Sequence, residues 1–177
     1  TDSPAEPQGS LSTETRPPIQ ISKMEDYLHL PSNSRLVRLE ANKTRPEISG
    51  AVFLDRDGVL VEEVHYLREP GQLKILPGVV PGLRALESQF YIIVVTNQSG
   101  VARGLLNEDD LLGIHNELVR LMSKQGALID ALYYCPHLPD APFRAYRMPC
   151  DCRKPAPGML LRAATDWGLD LTQSFLV

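Results

Sequence analysis

The sequence predicts an α/β fold built around a parallel β-sheet. Short apolar runs of four or five residues recur between residues 50 and 177, with the length and composition of buried parallel strands. Segments with apolar residues at helical spacing separate these runs, so strands and helices alternate as in β-α-β units with right-handed crossovers. Polar residues directly follow the runs, at the strand ends where ligands bind in such sheets. These observations predict a three-layer, Rossmann-like domain.

The first half of this domain contains two strands and one helix. The apolar run Ala51–Leu54 predicts a strand that ends before Asp55. A helix is predicted after Gly78 from residues at helical spacing, namely Val79, Val80, Leu83 and Leu86. The run Tyr91–Val95 predicts a second buried strand, which ends at Thr96.

The second half contains two more strands and two helices. Asn107 and the three acidic residues after it are typical of a capped helix start. Its apolar stripe consists of Leu111, Leu112, Leu118, Val119 and Met122. Strands are predicted over Ala131–Tyr134 and Ser174–Val177, and a helix over Met159–Trp167.

Length and composition indicate one globular domain. The chain has 177 residues, of which 43% are hydrophobic and 23% charged. With 18 Lys and Arg against 22 Asp and Glu, the net charge of −4 argues against attraction to nucleic acid or anionic membranes by bulk charge. No apolar run approaches the roughly 20 residues needed to span a bilayer, and no secretory-type leader is present. We therefore expect a cytoplasmic protein.

Residues 1–49 differ from the remainder and are interpreted as a proline-rich arm. The first fifty residues contain six of the fifteen prolines and one aromatic residue, Tyr27. Residues 1–18 offer almost nothing to bury, so we expect disorder there. The segment Arg35–Leu39 fits a short strand or a helix. We therefore divide the chain into an arm, 1–49, and a domain, 50–177.

Two carboxylates follow the first predicted strand. Asp55 and Asp57 lie two residues apart, so on extended backbone both side chains address one site. Residues 96–100 (TNQSG) follow the second strand with hydroxyls, an amide and a glycine that could cradle a phosphate. Arg153 and Lys154 precede the last predicted helix. Taken alone, each motif also fits an ordinary turn or a solvated charge pair.

In combination and in this order, the motifs resemble the first three motifs of the haloacid dehalogenase (HAD) superfamily. The stretches FLDRDG, VVTNQSGVARG, YYCPH and CDCRKPAPGML resemble the branch that contains the heptose-bisphosphate and histidinol-phosphate phosphatases. The resemblance extends over residues 51–177. It implies the HAD fold, a small phosphorylated sugar as substrate and magnesium-dependent hydrolysis. The wording of the last two stretches favours heptose 1,7-bisphosphate over histidinol phosphate.

The resemblance also implies roles for individual residues. Asp55 would be the nucleophile that forms an aspartyl-phosphate, and Asp57 would protonate the leaving oxygen and then activate water. Mg²⁺ would be held by Asp55 and the backbone carbonyl of Asp57, offsetting the repulsion between carboxylate and phosphate. Lys154 would bridge nucleophile and phosphate. The remaining phosphate-binding residues would be Thr96, Asn97 and Arg153.

The three cysteines indicate a second metal. Their odd number and close spacing argue against a disulfide framework. Cys135 and His137, followed after twelve residues by Cys150 and Cys152, supply four ligands suited to tetrahedral Zn²⁺. The spacing also resembles the zinc loop of the same branch. A closed ligand set favours a structural role, and we expect zinc to fix the direction of the adjacent Arg153 and Lys154.

The family pattern includes a fourth motif, a Gly-Asp pair followed by a further Asp, which would come after the strand Ser174–Val177. The sequence stops before it, so we expect a C-terminally incomplete domain with an apolar strand at an exposed sheet edge. Two classes stay open: a phosphatase whose remaining part lies beyond Val177, and a zinc-containing phosphate-binding module without turnover. A DNA 3′-phosphatase fits less well, because of the zinc loop and the acidic balance.

We also expect His115 to be a partly buried structural residue and His65 to lie in a solvent-facing loop.

Overall fold

The computed structural model describes residues 35–38 and 45–177. In chain order its elements are β1 (Arg35–Arg38), β2 (Ala51–Leu54), α1 (Val79–Leu86), β3 (Tyr91–Asn97), α2 (Glu108–Lys124), β4 (Ala131–Cys135), α3 (Gly158–Trp167) and β5 (Phe175–Leu176). The strands form one sheet in the order β1-β4-β3-β2-β5. Strands β2 to β5 are parallel and β1 is antiparallel to β4. The predicted strands and helices of residues 50–177 are all present.

The sheet is covered by helices on both faces, as its alternating side chains require. Residues of β2 and β3 on one face pack against α1 and α2, whereas their neighbours on the other face pack against α3. The first face buries Val52, Leu54, Ile92 and Val94; the second buries Ala51, Phe53, Ile93 and Val95. This double burial explains why the central strands read as continuous apolar runs. The predicted three-layer α/β class is confirmed.

Helix α2 begins with a reciprocal cap. The side chain of Asn107 accepts a hydrogen bond from the Asp110 backbone at 2.8 Å, and the Asp110 carboxylate accepts one from the Asn107 backbone at 3.0 Å. Three acidic residues in the first turn complement the positive end of the helix dipole. Helix α1 begins after Gly78, whose φ of 86° lies in the left-handed region that glycine tolerates.

Residues upstream of position 50 also contact the sheet. Arg35–Arg38 is a strand, which resolves the strand-or-helix alternative for this segment. Arg45 pairs with the buried carboxylate of Asp130 at 2.9 Å, and its backbone amide donates to the Tyr91 hydroxyl at 2.7 Å. Ile48 is buried. The division at residue 50 remains a prediction, and the expected disorder of residues 1–18 lies outside the described residues.

Strand β5 forms one edge of the sheet, next to β2. Phe175, Leu176 and Val177 are 59%, 58% and 63% exposed, so the apolar edge predicted from the sequence is present.

No helix of residues 35–38 and 45–177 is long and apolar enough to cross a membrane. The interior strands β2 and β3 end side by side, and this arrangement brings the first two sequence motifs together.

Candidate active site

A cleft of ≈ 310 Å³ lies at the carboxyl ends of β2 and β3. Its floor is formed by residues 55–57, which follow β2, and by residues 96–100, which end and follow β3. Residues 63–67 form a third wall. Five predicted site residues contribute to the cleft or touch its lining: Asp55, Asp57, Thr96, Asn97 and Lys154. The parallel register of the strands therefore unites motifs that are far apart in sequence.

Asp55 and Lys154 form the central ion pair. The ammonium nitrogen of Lys154 lies 2.6 Å from Oδ2 of Asp55 and donates a second bond to the carbonyl of Val95 at 2.9 Å. The two side chains are 34% and 25% exposed, so the pair opens towards solvent at one side. Oδ1 of Asp55 accepts from the backbone amide of Arg56 at 2.8 Å. A carboxylate beside a fixed cation is suited to approach an anionic phosphate.

Asn97 holds the backbone that carries Lys154. Its side-chain oxygen accepts from the Lys154 amide at 3.0 Å, and its side-chain nitrogen donates to the Lys154 carbonyl at 3.2 Å. This two-bond clamp joins the end of β3 to the loop before α3. Asn97 therefore positions the lysine, in addition to the phosphate contact that the sequence predicts for it.

Asp57 is gripped by two neighbours. Nε of Arg56 donates to Oδ1 of Asp57 at 3.0 Å, and Nη2 donates to Oδ2 at 2.8 Å. Nε2 of Gln98 donates to the same Oδ2 at 2.9 Å. The paired bonds from one guanidinium fix the plane of the carboxylate, since they match both of its oxygens at once.

His115 lies behind Arg56. The sequence predicted partial burial for this residue, and in the structure it is fully buried. Its Nε2 lies 3.3 Å from Nη1 of Arg56, and its ring meets Tyr134 edge-on at 5.4 Å. Burial, followed by the charge of Arg56, holds the pKa of His115 well below its ordinary value. The imidazole is therefore neutral and contributes no charge to the site at neutral pH.

Two predicted phosphate-binding residues make contacts that the sequence analysis did not foresee. The hydroxyl of Thr96 accepts a 2.9 Å bond from Gln98, and the residue as a whole is 1% exposed. The guanidinium of Arg153 donates to the carbonyl of His137 at 3.2 Å. Arg153 thus points along the cysteine-containing loop, and it is absent from the lining of the cleft within the described residues.

Residues 63–67, which line the cleft, include a pair of aromatic rings, His65 and Tyr66. Tyr66 adopts a φ of 57°, which is uncommon for a residue with a bulky side chain. Its ring meets His65 edge-on at 4.7 Å, and the guanidinium carbon of Arg103 lies 5.7 Å from its centroid. His65 is exposed, as predicted, and it also lines the cleft.

The predicted zinc ligands converge at a second site. Ligand atoms of Cys135, His137, Cys150 and Cys152 all lie within 4.8 Å of one another. Sγ of Cys152 lies 3.4 Å from both Nδ1 of His137 and Sγ of Cys150, and the two corresponding distances from Cys135 are 3.6 Å. Zinc–sulfur bonds of about 2.3 Å imply a tetrahedron edge of about 3.8 Å, so this donor set fits zinc.

The thiols of this cluster do not ionise alike. Hydrogen bonds, first from Cys152 and then from His137, lower the pKa of Cys135 to about 5. Burial raises the pKa of Cys150, and the hydrogen bond with Cys135 raises that of Cys152. The thiolate is the form of cysteine that binds a metal, so an already ionised Cys135 favours metal binding. Binding then releases the protons of the other two thiols.

Backbone packing ties the cysteine loop to α3. The amide of Gly158 donates to the carbonyl of Asp151 at 2.8 Å. A Cβ at Gly158 would lie 2.5 Å from that same backbone oxygen, so the close approach requires glycine.

Two tyrosines bond to α2. The hydroxyls of Tyr134, in β4, and Tyr146 both donate to Glu108 in the first turn of this helix, at 2.7 and 2.8 Å.

The predicted magnesium ligands are hard oxygen donors. The side chain of Asp55 lines the cleft and is 34% exposed, and the backbone of Asp57 belongs to the same turn. Oxygen donors of this kind suit Mg²⁺, which retains several waters and binds phosphate oxygens. The chemistry of the donor set therefore fits the predicted ion.

Three residues escaped the sequence analysis as functional candidates: Arg56 and Gln98, which line the cleft, and His115, which lies behind Arg56. Arg56 and Gln98 lie inside the quoted motifs, and an arginine between two aspartates was the available signal. His115 lies on the apolar stripe of α2, and nothing local indicates that it meets Arg56 across 59 positions.

Comparison with known proteins gives one consistent group of relatives, although no protein-family model matches the chain. Over 128 residues it is 42% identical to the D-glycero-beta-D-manno-heptose-1,7-bisphosphate 7-phosphatase of Rhodopseudomonas palustris, covering 72% of this chain and 71% of that protein. Enzymes of the same name from Photorhabdus laumondii and Haemophilus influenzae are 41% and 42% identical, with 68% and 69% of their lengths covered.

Solved structures agree with these relatives. A HAD-like phosphatase from Mesorhizobium loti superposes with a TM-score of 0.77 at 28% identity, covering 85% of this chain and 71% of that one. The D,D-heptose 1,7-bisphosphate phosphatase of B. bronchiseptica, complexed with magnesium and phosphate, gives a TM-score of 0.59 at 34% identity. That match covers 70% of this chain and 65% of the other.

Proposed function

The chain belongs to the D-glycero-beta-D-manno-heptose-1,7-bisphosphate 7-phosphatase family of HAD-like phosphatases, and from this premise we propose that it removes the 7-phosphate of heptose 1,7-bisphosphate. The relatives are phosphomonoester hydrolases acting on a sugar phosphate. The observation that carries the proposal for this chain is the 2.6 Å contact between Lys154 and Asp55, which joins the first and third motifs.

Asp55 is the proposed nucleophile. One carboxylate oxygen attacks phosphorus, the bond from phosphorus to the sugar oxygen breaks, and an aspartyl-phosphate forms. Lys154 supports this role, because its ammonium lies 2.6 Å from the Asp55 carboxylate. At that place its charge offsets the repulsion between the carboxylate and the anionic phosphate. The carbonyl of Val95 and the clamp from Asn97 keep the lysine in place.

Asp57 is the proposed general acid and base. It gives a proton to the departing sugar oxygen, and as a carboxylate it then takes one from the water that attacks the aspartyl-phosphate. Inorganic phosphate leaves and Asp55 is regenerated. Support comes from its position, since Asp57 lines the same cleft as Asp55 and its side chain is 22% exposed.

The transferring phosphate is proposed to lie against residues 96–100. Thr96 and Asn97 are the expected side-chain partners, and both line the cleft. Arg153 is proposed as the second cation on the substrate. Support comes from its place in the chain, since Arg153 directly precedes Lys154, whose ammonium lies 2.6 Å from Asp55.

Two metals complete the proposal. Asp55 and the carbonyl of Asp57 would hold Mg²⁺, which neutralises phosphate charge when bound. The cysteine and histidine cluster would hold structural Zn²⁺, supported by the spacing of its four donors. We further propose residues 50–177 as the phosphatase domain and residues 1–49 as an arm outside it.

The test is phosphate release from heptose 1,7-bisphosphate by this 177-residue chain, with and without Mg²⁺. Asp55→Asn removes the nucleophile with little change of shape. Asp109→Asn is the matched control, since Asp109 lies exposed in the first turn of α2. We expect Mg²⁺-dependent release that Asp55→Asn abolishes and Asp109→Asn leaves intact.

Histidinol phosphate, tested in parallel, distinguishes the two substrates that the motifs allow. A higher kcat/KM for histidinol phosphate would contradict the heptose assignment. Failure to release phosphate from either ester, with the fold intact, would contradict turnover by this chain and favour a phosphate-binding module.

A further inference from the structure

Arg56 is a buried cation inside the catalytic turn. Its side chain is 1% exposed, and its ion-pair partner is Asp57. A guanidinium removed from water costs several kcal/mol unless it is paired and hydrogen-bonded. Arg56 lies between Asp55, the proposed nucleophile, and Asp57, the proposed acid and base. Its charge and its five N–H donors can therefore act on the catalytic carboxylates.

The hydrogen bonds to Asp57 are unequally shared between its two oxygens. Oδ2 accepts two bonds, from Arg56 Nη2 at 2.8 Å and from Gln98 Nε2 at 2.9 Å. Oδ1 accepts one, from Arg56 Nε at 3.0 Å. Each carboxylate oxygen has about two acceptor positions. These contacts therefore fill Oδ2 and leave one position on Oδ1.

The guanidinium is itself held from behind. Oε1 of Gln98 accepts from Nη2 at 2.9 Å, and Nε2 of His115 lies 3.3 Å from Nη1. Because a guanidinium has no acceptor, His115 accepts with Nε2 and carries its proton on Nδ1. Nδ1 is buried and, within the described residues, has no hydrogen-bond partner. His115 thus serves Arg56 at the expense of one unpaired donor.

We propose that Arg56 is the positioning residue for proton transfer: together with Gln98 it locks the carboxylate plane of Asp57 and leaves Oδ1 as the atom that gives and takes the proton. The inference rests on the proposed function, in which Asp57 is the acid and base. Turning the Asp57 carboxylate out of this plane would break the hydrogen bonds from Arg56 and Gln98. Lysine cannot replace Arg56, since a point charge lacks the fork that fixes a plane.

The test is a double-mutant cycle of Arg56→Lys and Asp57→Asn, measured as kcat and KM for phosphate release. General acid–base catalysis contributes about 10²–10⁴-fold, so a misplaced carboxylate should lower kcat by about 10- to 100-fold. We expect KM to change less than about twofold, because the side chain of Arg56 is 1% exposed and acts through Asp57. In the Asp57→Asn background, Arg56→Lys should have no further effect on kcat.

Two further variants separate positioning from general damage. Arg162→Lys is the matched control, because Arg162 is 16% exposed and pairs with Asp166 on α3, away from the cleft. It should leave kcat unchanged. Gln98→Met removes one donor to Oδ2, together with the bonds of Gln98 to Arg56 and Thr96, and it keeps Arg56 itself, so it covers the case in which Arg56→Lys does not fold. It should lower kcat several-fold, again only when Asp57 is present.

Additive losses in either cycle would overturn the inference. A spectroscopic measurement decides independently of turnover: the Nε–H resonance of Arg56 in the ¹⁵N-labelled chain should shift in Asp57→Asn and stay in place in Arg162→Lys. An unshifted resonance overturns the inference. Absence of phosphate release from the wild type contradicts the proposed function instead, and the resonance still reports whether Arg56 holds Asp57.

Discussion

Lys154 and Asp55 lie 99 positions apart in the chain, and their side chains meet at 2.6 Å. Nothing in either local sequence requires this contact. It arises because β2 and β3 are neighbours, so that Asp55 ends beside Val95, whose carbonyl accepts a second bond from Lys154 at 2.9 Å. The lysine thus bridges the ends of two parallel strands and reaches Asp55, the proposed nucleophile, from the loop before α3.

This bridge predicts that Lys154→Met abolishes most of the activity. Removing the cation leaves the nucleophile facing an anionic phosphate without its fixed counter-charge, and we expect kcat/KM to fall about 10²- to 10³-fold. Lys74→Met is the control, because Lys74 pairs with Glu62 at 3.4 Å on the surface and is 70% exposed. Steady-state kinetics on both variants check the prediction; equal losses in the two would refute it.

Helices, strands and the location of the cleft were predictable from the sequence because their signals are local. The runs Ala51–Leu54 and Tyr91–Val95 are apolar throughout, since each strand is covered on both faces. The cap at Asn107 likewise depends only on the next three residues. Parallel strands then place their carboxyl ends at one edge, so the meeting of Asp55 with residues 96–100 followed from topology.

Apart from the contact of Lys154 with Asp55, which the family resemblance implies, the side-chain contacts inside the site were not predictable, because they depend on which distant side chain lies next to each donor. The sequence gives no sign that Arg56 is buried against His115, which α2 places 3.3 Å from its guanidinium. The resemblance implies a phosphate contact for Thr96 and does not indicate that its hydroxyl also accepts a hydrogen bond from Gln98. Such choices among hydrogen-bond partners are settled by three-dimensional packing and carry no periodic signal in the chain.

Zinc removal should weaken substrate binding more than it slows chemistry. The cluster includes Cys152, and the next residue, Arg153, donates to the carbonyl of His137 within the same loop. We expect a chelator, or Cys152→Ser, to lower the melting temperature and to raise KM about tenfold, with a smaller change in kcat. Zinc re-addition should rescue the chelated wild type and not Cys152→Ser. An unchanged KM after verified zinc loss would contradict the expectation that zinc fixes the direction of Arg153 and Lys154.

The approach of the cysteine loop to α3 predicts opposite effects for two Gly→Ala substitutions. In Gly158→Ala the new Cβ would lie 2.5 Å from the backbone oxygen of Asp151, which cannot move without disturbing Cys152. We expect a loss of about 1–3 kcal/mol in the free energy of unfolding. Gly82, in α1, has open space around it, so Gly82→Ala should gain about 0.5–1 kcal/mol. Urea unfolding of both variants tests this, and a neutral Gly158→Ala would show that the loop can shift.

The neutral state of His115 predicts a change in how stability depends on pH. Burial and the charge of Arg56 lower the pKa of His115 well below its ordinary value of 6.5 in the folded chain. Below about pH 6.5 the unfolded chain therefore binds a proton that the folded chain does not, so this residue makes stability fall as pH decreases. The slope from one such group is at most about 1.4 kcal/mol per pH unit.

Replacing the imidazole by a group that does not titrate should remove this slope. We expect His115→Gln to be less stable than the wild type at pH 7.5, because the edge-on contact with Tyr134 at 5.4 Å is lost. Between pH 7.5 and 5.5 the variant should lose less stability than the wild type, so the two urea-unfolding free energies converge. The thiols of the cysteine cluster titrate in both chains and cancel in the difference. His65→Gln, which removes an exposed histidine, provides the comparison for a substitution of the same type. Parallel pH profiles for wild type and His115→Gln would mean that the ring behind Arg56 accepts a proton in the folded protein, and the neutral acceptor assigned to Nε2 would be wrong.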